Sequence, residues 1–511
     1  MDSLAALANP FGAPSASVGW LRHPWIEPLF NAVRGRRPKP PDEGSGVGGF
    51  SLSGRAGAAI IRPHIESSSG NHLKKSGKPD SKGPKIIPRA AHNVSRDEVS
   101  KSALKVLYRL NKSGYQAFLV GGCVRDALVG LHPKDFDVAT NATPEEVRAL
   151  FGNCRLIGRR FRLAHVRFGR EIIEVATFRA AANHVDDDVS HDHEGRILRD
   201  NVYGSIEEDV WRRDFTCNAL YYNIADFSIW DYTSGFEHIK QKRLVLIGDV
   251  EKRLREDPVR MLRAIRFAAK LDFEIDKPIL DDMHEHVDRI ANVPAARLFD
   301  EFLKLFQAGR AEKTFDMLRE HGLFAQLFPA TDRELDEDDT FGDFVRAALR
   351  NTDRRVKDGK SVTPMFLLGV FFWAPTQRLA AIRRSEEKMS ESQALSLASY
   401  ELAAEQQQRV SIPRRFTVPM REMIALQPRF TTTRGKRALN LLAHRRFRAA
   451  YDFMMLLSEV GQFDSELARF WTEVQDQSQD QRADAFQLQR KPRARRRSRR
   501  RRRGPKSSQP T

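Results

Sequence analysis

Cysteine is scarce in this chain. Cys123, Cys154 and Cys217 are the three among 511 residues. Their odd number and wide spacing give no disulfide framework and match no zinc-ligand pattern. A reducing, cytoplasmic compartment is the simplest inference. Long apolar runs are missing as well. The longest candidate, residues 365–374, suits a buried helix and falls short of a bilayer. The N-terminus lacks the continuous apolar core of a secretory signal, although its first forty residues are poor in acids and contain some Arg, as a transit peptide does. Residues 34–85 show no sustained periodicity and are rich in Gly, Ser, Pro and basic side chains, so residues 1–90 are expected to be a disordered extension. The stretch from Arg490 to Thr511 has no acid at all. It contributes twelve Lys and Arg to a net charge of +18, which leaves +6 for the remaining residues. Such a tail has nucleic acid and anionic membrane as its usual partners, and its lack of side chains for lipid insertion favours nucleic acid. A merely solubilising end is the plain alternative.

What is present is organised around residues 118–140, FLVGGCVRDALVGLHPKDFDVAT. An apolar run, Phe118 to Val120, feeds into Gly121-Gly122, a helical segment carries Arg125 and Asp126, and a second strand is expected to open at Asp135-Phe136-Asp137. Strand side chains alternate with period two, so Asp135 and Asp137 share a face while Phe136 points away. Two adjacent carboxylates repel unless a cation sits between them, and the natural one is Mg²⁺, which takes carboxylate and phosphate oxygens together. The paired glycines let the backbone approach a phosphate, and the helix start offers N–H groups to it. A lone Asp-x-Asp is usually a solvated strand edge; here the phosphate and metal elements fall close together, and a metal-dependent nucleotide site is the reading.

At this length two or three domains fit. Order is expected from about Ser95, a candidate helix N-cap followed by apolar residues at helical spacing to Leu110. Thr143-Pro144-Glu145-Glu146 starts another helix by the same logic, and residues 156–166 and 171–178 read as two strands. Glu174 interrupts the second of these. A buried acid is costly unless paired or bound to metal, which makes Glu174 a candidate third carboxylate; a surface glutamate on a strand is the alternative. His184, His191 and His193 lie in a polar, non-periodic stretch, residues 183–195, that reads as a loop and not as a metal site. Beyond Ser205 the chain is mostly helical, with segments expected at residues 296–307, 312–318, 365–373, 390–407 and 434–457. Pro258 suits the first turn of a helix that would bury Met261, Leu262 and Ile265 and gather Glu256, Asp257, Arg260 and Arg263 near one end.

Four motifs in order, Gly121-Gly122-Cys123-Val124-Arg125-Asp126, Asp135-Phe136-Asp137, Arg212-Arg213-Asp214 and Glu256-Asp257-Pro258-Val259-Arg260, make the chain resemble the class II DNA polymerase beta-like nucleotidyltransferases, the group of bacterial poly(A) polymerases and CCA-adding enzymes. The resemblance covers roughly residues 92–460. The stretch from Leu156 to Val166 and the Arg-rich tail place it nearer the poly(A) polymerases. The resemblance implies an α+β chain. A small polymerase-beta-like head with a mixed sheet would occupy residues 91–235. A helical neck (236–310) and a helical RNA-binding body (311–475) would follow, then a disordered Arg-rich tail (476–511).

It also implies roles. Asp135 and Asp137, with Glu174, would hold two Mg²⁺ ions, one to activate the RNA 3′-hydroxyl and one to steady the departing pyrophosphate. Gly121, Gly122, Arg125, Arg212 and Arg213 would seat the ATP triphosphate, and Asp214 would accept from a ribose hydroxyl. The activity implied is poly(A) tailing of RNA 3′ ends with ATP, in mRNA processing and decay, with RNA-decay proteins as unresolved partners. An adenine edge pairs an amino donor with a ring-nitrogen acceptor, which a carboxylate beside a guanidinium complements. Asp257 and Arg260 would therefore select A and C against G and U without separating ATP from CTP. A CCA-adding enzyme acting on tRNA is thus the runner-up, and a non-catalytic RNA-binding protein on the same fold is the second alternative. The phosphohydrolase domain of some CCA-adding relatives carries paired His-Asp motifs, whereas His191-Asp192 is the one His-Asp dipeptide here. Standing alone, Arg212-Arg213-Asp214 would read as a helix cap beside solvated arginines, and Asp257 with Arg260 as a helix-start salt bridge.

Overall fold

A computed structural model of the protein describes residues 83–158, 162–180 and 202–488. Most of the N-terminal extension, residues 159–161 of the 156–166 stretch, the 183–195 stretch with its histidines, and the tail from residue 489 lie outside the described residues.

The first third of the described chain is an eight-stranded mixed sheet in the order β1-β8-β7-β2-β3-β6-β5-β4. Its strands are β1 (Lys85–Ile87), β2 (Ala117–Val120), β3 (Asp137–Thr140), β4 (Cys154–Ile157), β5 (Leu163–Phe168), β6 (Glu171–Thr177), β7 (Leu220–Asn223) and β8 (Ile229–Asp231). Pairing is antiparallel except between β3 and β6. Helices α1 (Lys101–Lys112), α2 (Gly122–Leu128), α3 (Pro144–Leu150) and α4 (Ile206–Arg212) belong to this head. Central strand β2 is buried at every position because both faces of the sheet are covered. Ala117 and Leu119 enter the main core, while Phe118 and Val120 enter an aromatic layer with Phe178, Tyr221 and Trp230. The alternation predicted for Asp135-Phe136-Asp137 is present, with Phe136 buried between two exposed aspartates. The regular strand, however, begins only at Asp137.

Four expectations change. Ser95 caps only a short 3-10 turn, and the cap of α1 is Ser100, whose hydroxyl accepts from the Ala103 N–H. Order starts before residue 91, because β1 pairs with β8 and closes that edge of the sheet. The single strand expected over 156–166 is the hairpin β4–β5, in which Ile157 pairs with Leu163. The predicted disordered tail begins too early: residues Gln479–Ala485 form a helix with a Ser478/Gln481 capping box, and Phe486 is fully buried against Trp471. Thr143 and Glu146 do form the expected capping box.

From residue 235 the described chain is almost entirely helical. Helices α5 (Gly235–Lys240), α6 (Val250–Glu256), α7 (Val259–Leu271), α8 (Lys277–Glu285) and α9 (Ala295–Phe306) come first. A small parallel pair, β9 (Arg243–Leu244) with β10 (Glu274–Ile275), ties the start of this region to its middle. The core of the following helices is phenylalanine-rich: Phe371 meets Phe302, Phe306, Phe315, Phe324 and Phe328 at centroid distances of 5.2 to 6.3 Å. The helix bearing Phe371, Pro364–Glu387, is longer than the ten apolar residues suggested, and its length and composition would suffice for a membrane span. Its apolar half is packed inside this core, and Arg378 and Arg383 on its other half pair with glutamates. The 434–457 segment splits into Gly435–Leu441 and Phe447–Glu459.

Candidate active site

The chain reverses between β2 and α2 at Gly121, whose φ of +79° and ψ of −133° suit glycine alone. A Cβ there would stand 3.9 Å from both Asp137 Oδ2 and Arg213 Nη1, so one backbone bend brings together two motifs that are far apart in sequence. Asp137 opens β3 in register with Val120 on one side and Glu174 on the other. Asp137 reaches solvent, yet protein surrounds its carboxylate closely enough that lost hydration, then Glu174, push its pKa up to about 6; Arg213 pulls it down and Asp135 adds to the rise.

Glu174 is not the buried acid expected. Its neighbours Ile173 and Val175 are buried, but by the same alternation Glu174 faces out, 49% exposed, with His165 Nε2 at 3.4 Å. Its place beside Asp137 is therefore a matter of register and not of burial. Among the described residues no three His, Cys, Asp or Glu side chains close around a single point. The acids form an open, all-oxygen set, as suits Mg²⁺, which is usually held by one or two carboxylates plus phosphate oxygens and water. Like-charge crowding at Asp137 is the feature that a divalent ion would relieve, so the donor set fits the ion.

The arginines of the motifs are largely engaged by protein. Arg213 donates to Asp209 Oδ2 (3.0 Å) and to the Tyr221 hydroxyl (2.8 Å), which itself donates to Asp209 at 2.6 Å. Nη1 lies on the Gly121 side, where it also donates to the Asn218 carbonyl at 3.4 Å. Arg212 donates to the Ala180 carbonyl, and burial brings its pKa down to about 10. Arg125 departs most from its expected place at a triphosphate. It is 3% exposed, it donates to Asp126 Oδ1 and Asn218 Oδ1, and it lies 4.9 Å from the centre of the Phe267 ring of α7. Its guanidinium is thus engaged by protein, and a Cβ on Gly122 would stand 3.5 Å from its Nη2.

Asp214 accepts from the N–H of Phe215 (2.8 Å), from Asn218 Nδ2 (3.2 Å) and from both Nε and Nη2 of Arg263. Burial alone would raise its pKa, but Arg263 and these donors outweigh it and hold the carboxyl below the usual range. Asp257 and Arg260 do not pair with each other. Asp257 Oδ2 accepts from Arg297 of α9 at 2.7 Å, whereas Arg260 donates to Glu256 at 2.9 Å. Arg253 completes the seam by donating to the carbonyls of Arg212 (3.0 Å) and Arg213 (2.6 Å), and Lys270 of α7 reaches Asp126 at 2.8 Å.

Sequence reasoning missed Asp209, Asn218, Tyr221 and Arg297, and gave Arg263 no partner. Asp209 stands four residues before Arg213, a spacing that signals a helical ion pair. Nothing local points from Asp257 to Arg297, forty residues away.

Three family models match the chain: a poly A polymerase head domain over residues 117–245, a probable RNA and SrmB-binding site of polymerase A over 272–335, and a polymerase A arginine-rich C-terminus over 387–504. The chain is 47% identical over 397 residues to poly(A) polymerase I of Salmonella typhimurium, spanning 76% of this chain and 85% of that protein. It is 48% identical over 401 residues to poly(A) polymerase I of Escherichia coli O157:H7, with the same coverage. A CCA-adding enzyme of Listeria monocytogenes is 34% identical over 222 residues, 43% of this chain and 54% of that one. A solved CCA-adding enzyme in complex with CTP shares the fold at 20% identity and a TM-score of 0.50, covering 76% of this chain and 85% of that chain.

Proposed function

The chain belongs to the bacterial poly(A) polymerase I family and is a template-independent polynucleotide adenylyltransferase, and on that premise we propose which of its residues carry the transfer of AMP from ATP to RNA 3′ ends. Asp135 and Asp137, with Glu174 beside them, are the ligands for Mg²⁺. Bound there, Mg²⁺ supplies neutralisation of the triphosphate charge and lowers the pKa of the attacking 3′-hydroxyl. Little covalent work falls to the protein in such a transfer, so positioning dominates. Gly121 and Gly122 let the triphosphate approach the backbone, and Arg213 meets it with Nη1, whose one partner among the described residues, the Asn218 carbonyl, is held only at 3.4 Å. Arg125 positions this turn through Asn218. Asp214 accepts from the ribose hydroxyl, which Arg263 helps by keeping it ionised. Asp257 and Arg260 face the adenine edge, with Arg297 orienting the carboxylate. The observation that carries this reading is the approach of Asp137 and Arg213 to one glycine bend.

We divide the chain accordingly into a head to residue 235, a neck to 310 and a body to 475, working on RNA in the cytoplasm. Incubation with Mg²⁺, separately labelled nucleotides, and either generic RNA or tRNA lacking its terminus tests the reading. AMP addition to generic RNA is expected. CTP-then-ATP addition confined to tRNA would overturn it, and so would the absence of any incorporation.

A further inference from the structure

Far along the chain from the nucleotide site, a cleft of about 520 Å³ opens between the helices Asp339–Lys357 and Phe447–Glu459. Neither helix contributes to the head or the neck. The first lies between the matched RNA-binding segment and the matched arginine-rich segment, so neither covers it. Arg350, Arg354 and Arg355 line one wall and Arg448 the other, against the acids Asp452 and Glu459. Ala347, Met455 and the buried Leu456 add apolar surface to the lining. Internal pairing only partly spends the charge. Arg350 donates to Glu312 at 2.8 Å, Arg448 to Asp452 at 3.0 Å, and Arg355 to the Ser361 carbonyl at 3.0 Å. Arg354 is exposed, and no hydrogen bond or ion pair to its side chain is found among the described residues. Arg448 is 75% exposed although Asp452 is partly buried, so the arginine end of the pair is open to a competing phosphate.

We propose that this cleft binds the phosphodiester backbone of the RNA substrate upstream of its growing 3′ end. Guanidiniums on two facing walls match phosphates of a strand laid between them better than a single point anion, and the planar fork suits phosphate oxygens. A positively charged groove that tracks the backbone is what sequence-independent binding of a single strand uses. The groups that read the nucleotide, by contrast, come from the head and neck. The cleft therefore adds affinity for longer RNA without touching the chemistry. This inference rests on the RNA-tailing activity above.

The test uses full-length Arg354→Glu/Arg448→Glu, with Arg354→Gln/Arg448→Gln as the milder variant. Binding to a long oligo(A) is followed across a salt series, and tailing kinetics are measured on the same oligomer and on a primer of a few nucleotides. The log–log salt slope should shrink by about 0.7 for each phosphate that the variant no longer neutralises, roughly 1.4 for the pair. The KM for long RNA should rise several-fold, with kcat and the KM for ATP on the short primer unchanged. An unchanged slope and KM overturn the proposal, provided the wild type tails the same RNA; a wild type that adds no AMP at all fails the functional reading instead. Loss of a second ATP-binding event in calorimetry, with the RNA slope intact, would make the cleft a mononucleotide site and equally overturn it.

Discussion

Replacing Arg263 with methionine isolates the contact that holds the Arg212-Arg213-Asp214 motif against the neck. Methionine keeps most of the volume over Phe267, so the change is chiefly the loss of a guanidinium that donates through two nitrogens to Asp214. Breaking a fully buried ion pair costs about 3–5 kcal/mol. Here Arg263 is 31% exposed, and Asp214 keeps the Phe215 and Asn218 donors, so about 2–3 kcal/mol is expected. At the sensitivity of larger domains, about 2 °C per kcal/mol, the apparent Tm should fall by about 4–6 °C. The sign with pH follows from Asp214. Its folded pKa is depressed, so the stabilisation is complete above the ordinary carboxylate pKa of about 3.9 and is lost as pH falls through the folded value. In the variant, burial without Arg263 raises that pKa, and the gap between variant and wild type should narrow on acidification from neutral pH. A double-mutant cycle with Asp214→Asn decides the cause: the methionine change should then cost under about 1 kcal/mol. Equal cost in both backgrounds, or a gap independent of pH, would refute the assignment.

Asp137→Asn should reduce AMP incorporation to background while leaving RNA affinity by gel shift nearly intact, and retained turnover would dismiss the metal-ligand role. Arg297→Ala frees Asp257 from a half-exposed pair worth about 0.5–1 kcal/mol, so the KM for ATP should rise about two- to five-fold. Selection of ATP over UTP should weaken with it, and an unaltered nucleotide ratio in competition assays would contradict that. Gly235→Ala would place a Cβ 2.2 Å from the Thr216 carbonyl oxygen, inside the turn that presents Asn218. The overpacking should cost about 3 kcal/mol by urea unfolding and lower kcat as Asn218 shifts; wild-type kcat would show that the turn does not position the site.

Several parts of this molecule could be read residue by residue. The Gly121 bend, the alternation of Asp135-Phe136-Asp137 and the Thr143–Glu146 capping box all depend on backbone conformation and side-chain spacing within a few residues. The helical periods at 296–307 and 390–407 became α9 and the helix Glu391–Gln406 for the same reason. Which arginine serves which acid was another matter. Arginine and aspartate recur throughout the motifs, and one guanidinium looks like another in a sequence. Only the packing of α7 against the head and of α9 against α7 selects Arg263 for Asp214 and Arg297 for Asp257, and turns Arg125 inward. Burial decided the remainder. Glu174 lies in an apolar run yet faces out, because in a strand the two neighbours of an exposed residue are the ones that enter the core. The residue types of the site were thus set locally, while their partners, exposure and charge state came from contacts between elements tens of residues apart.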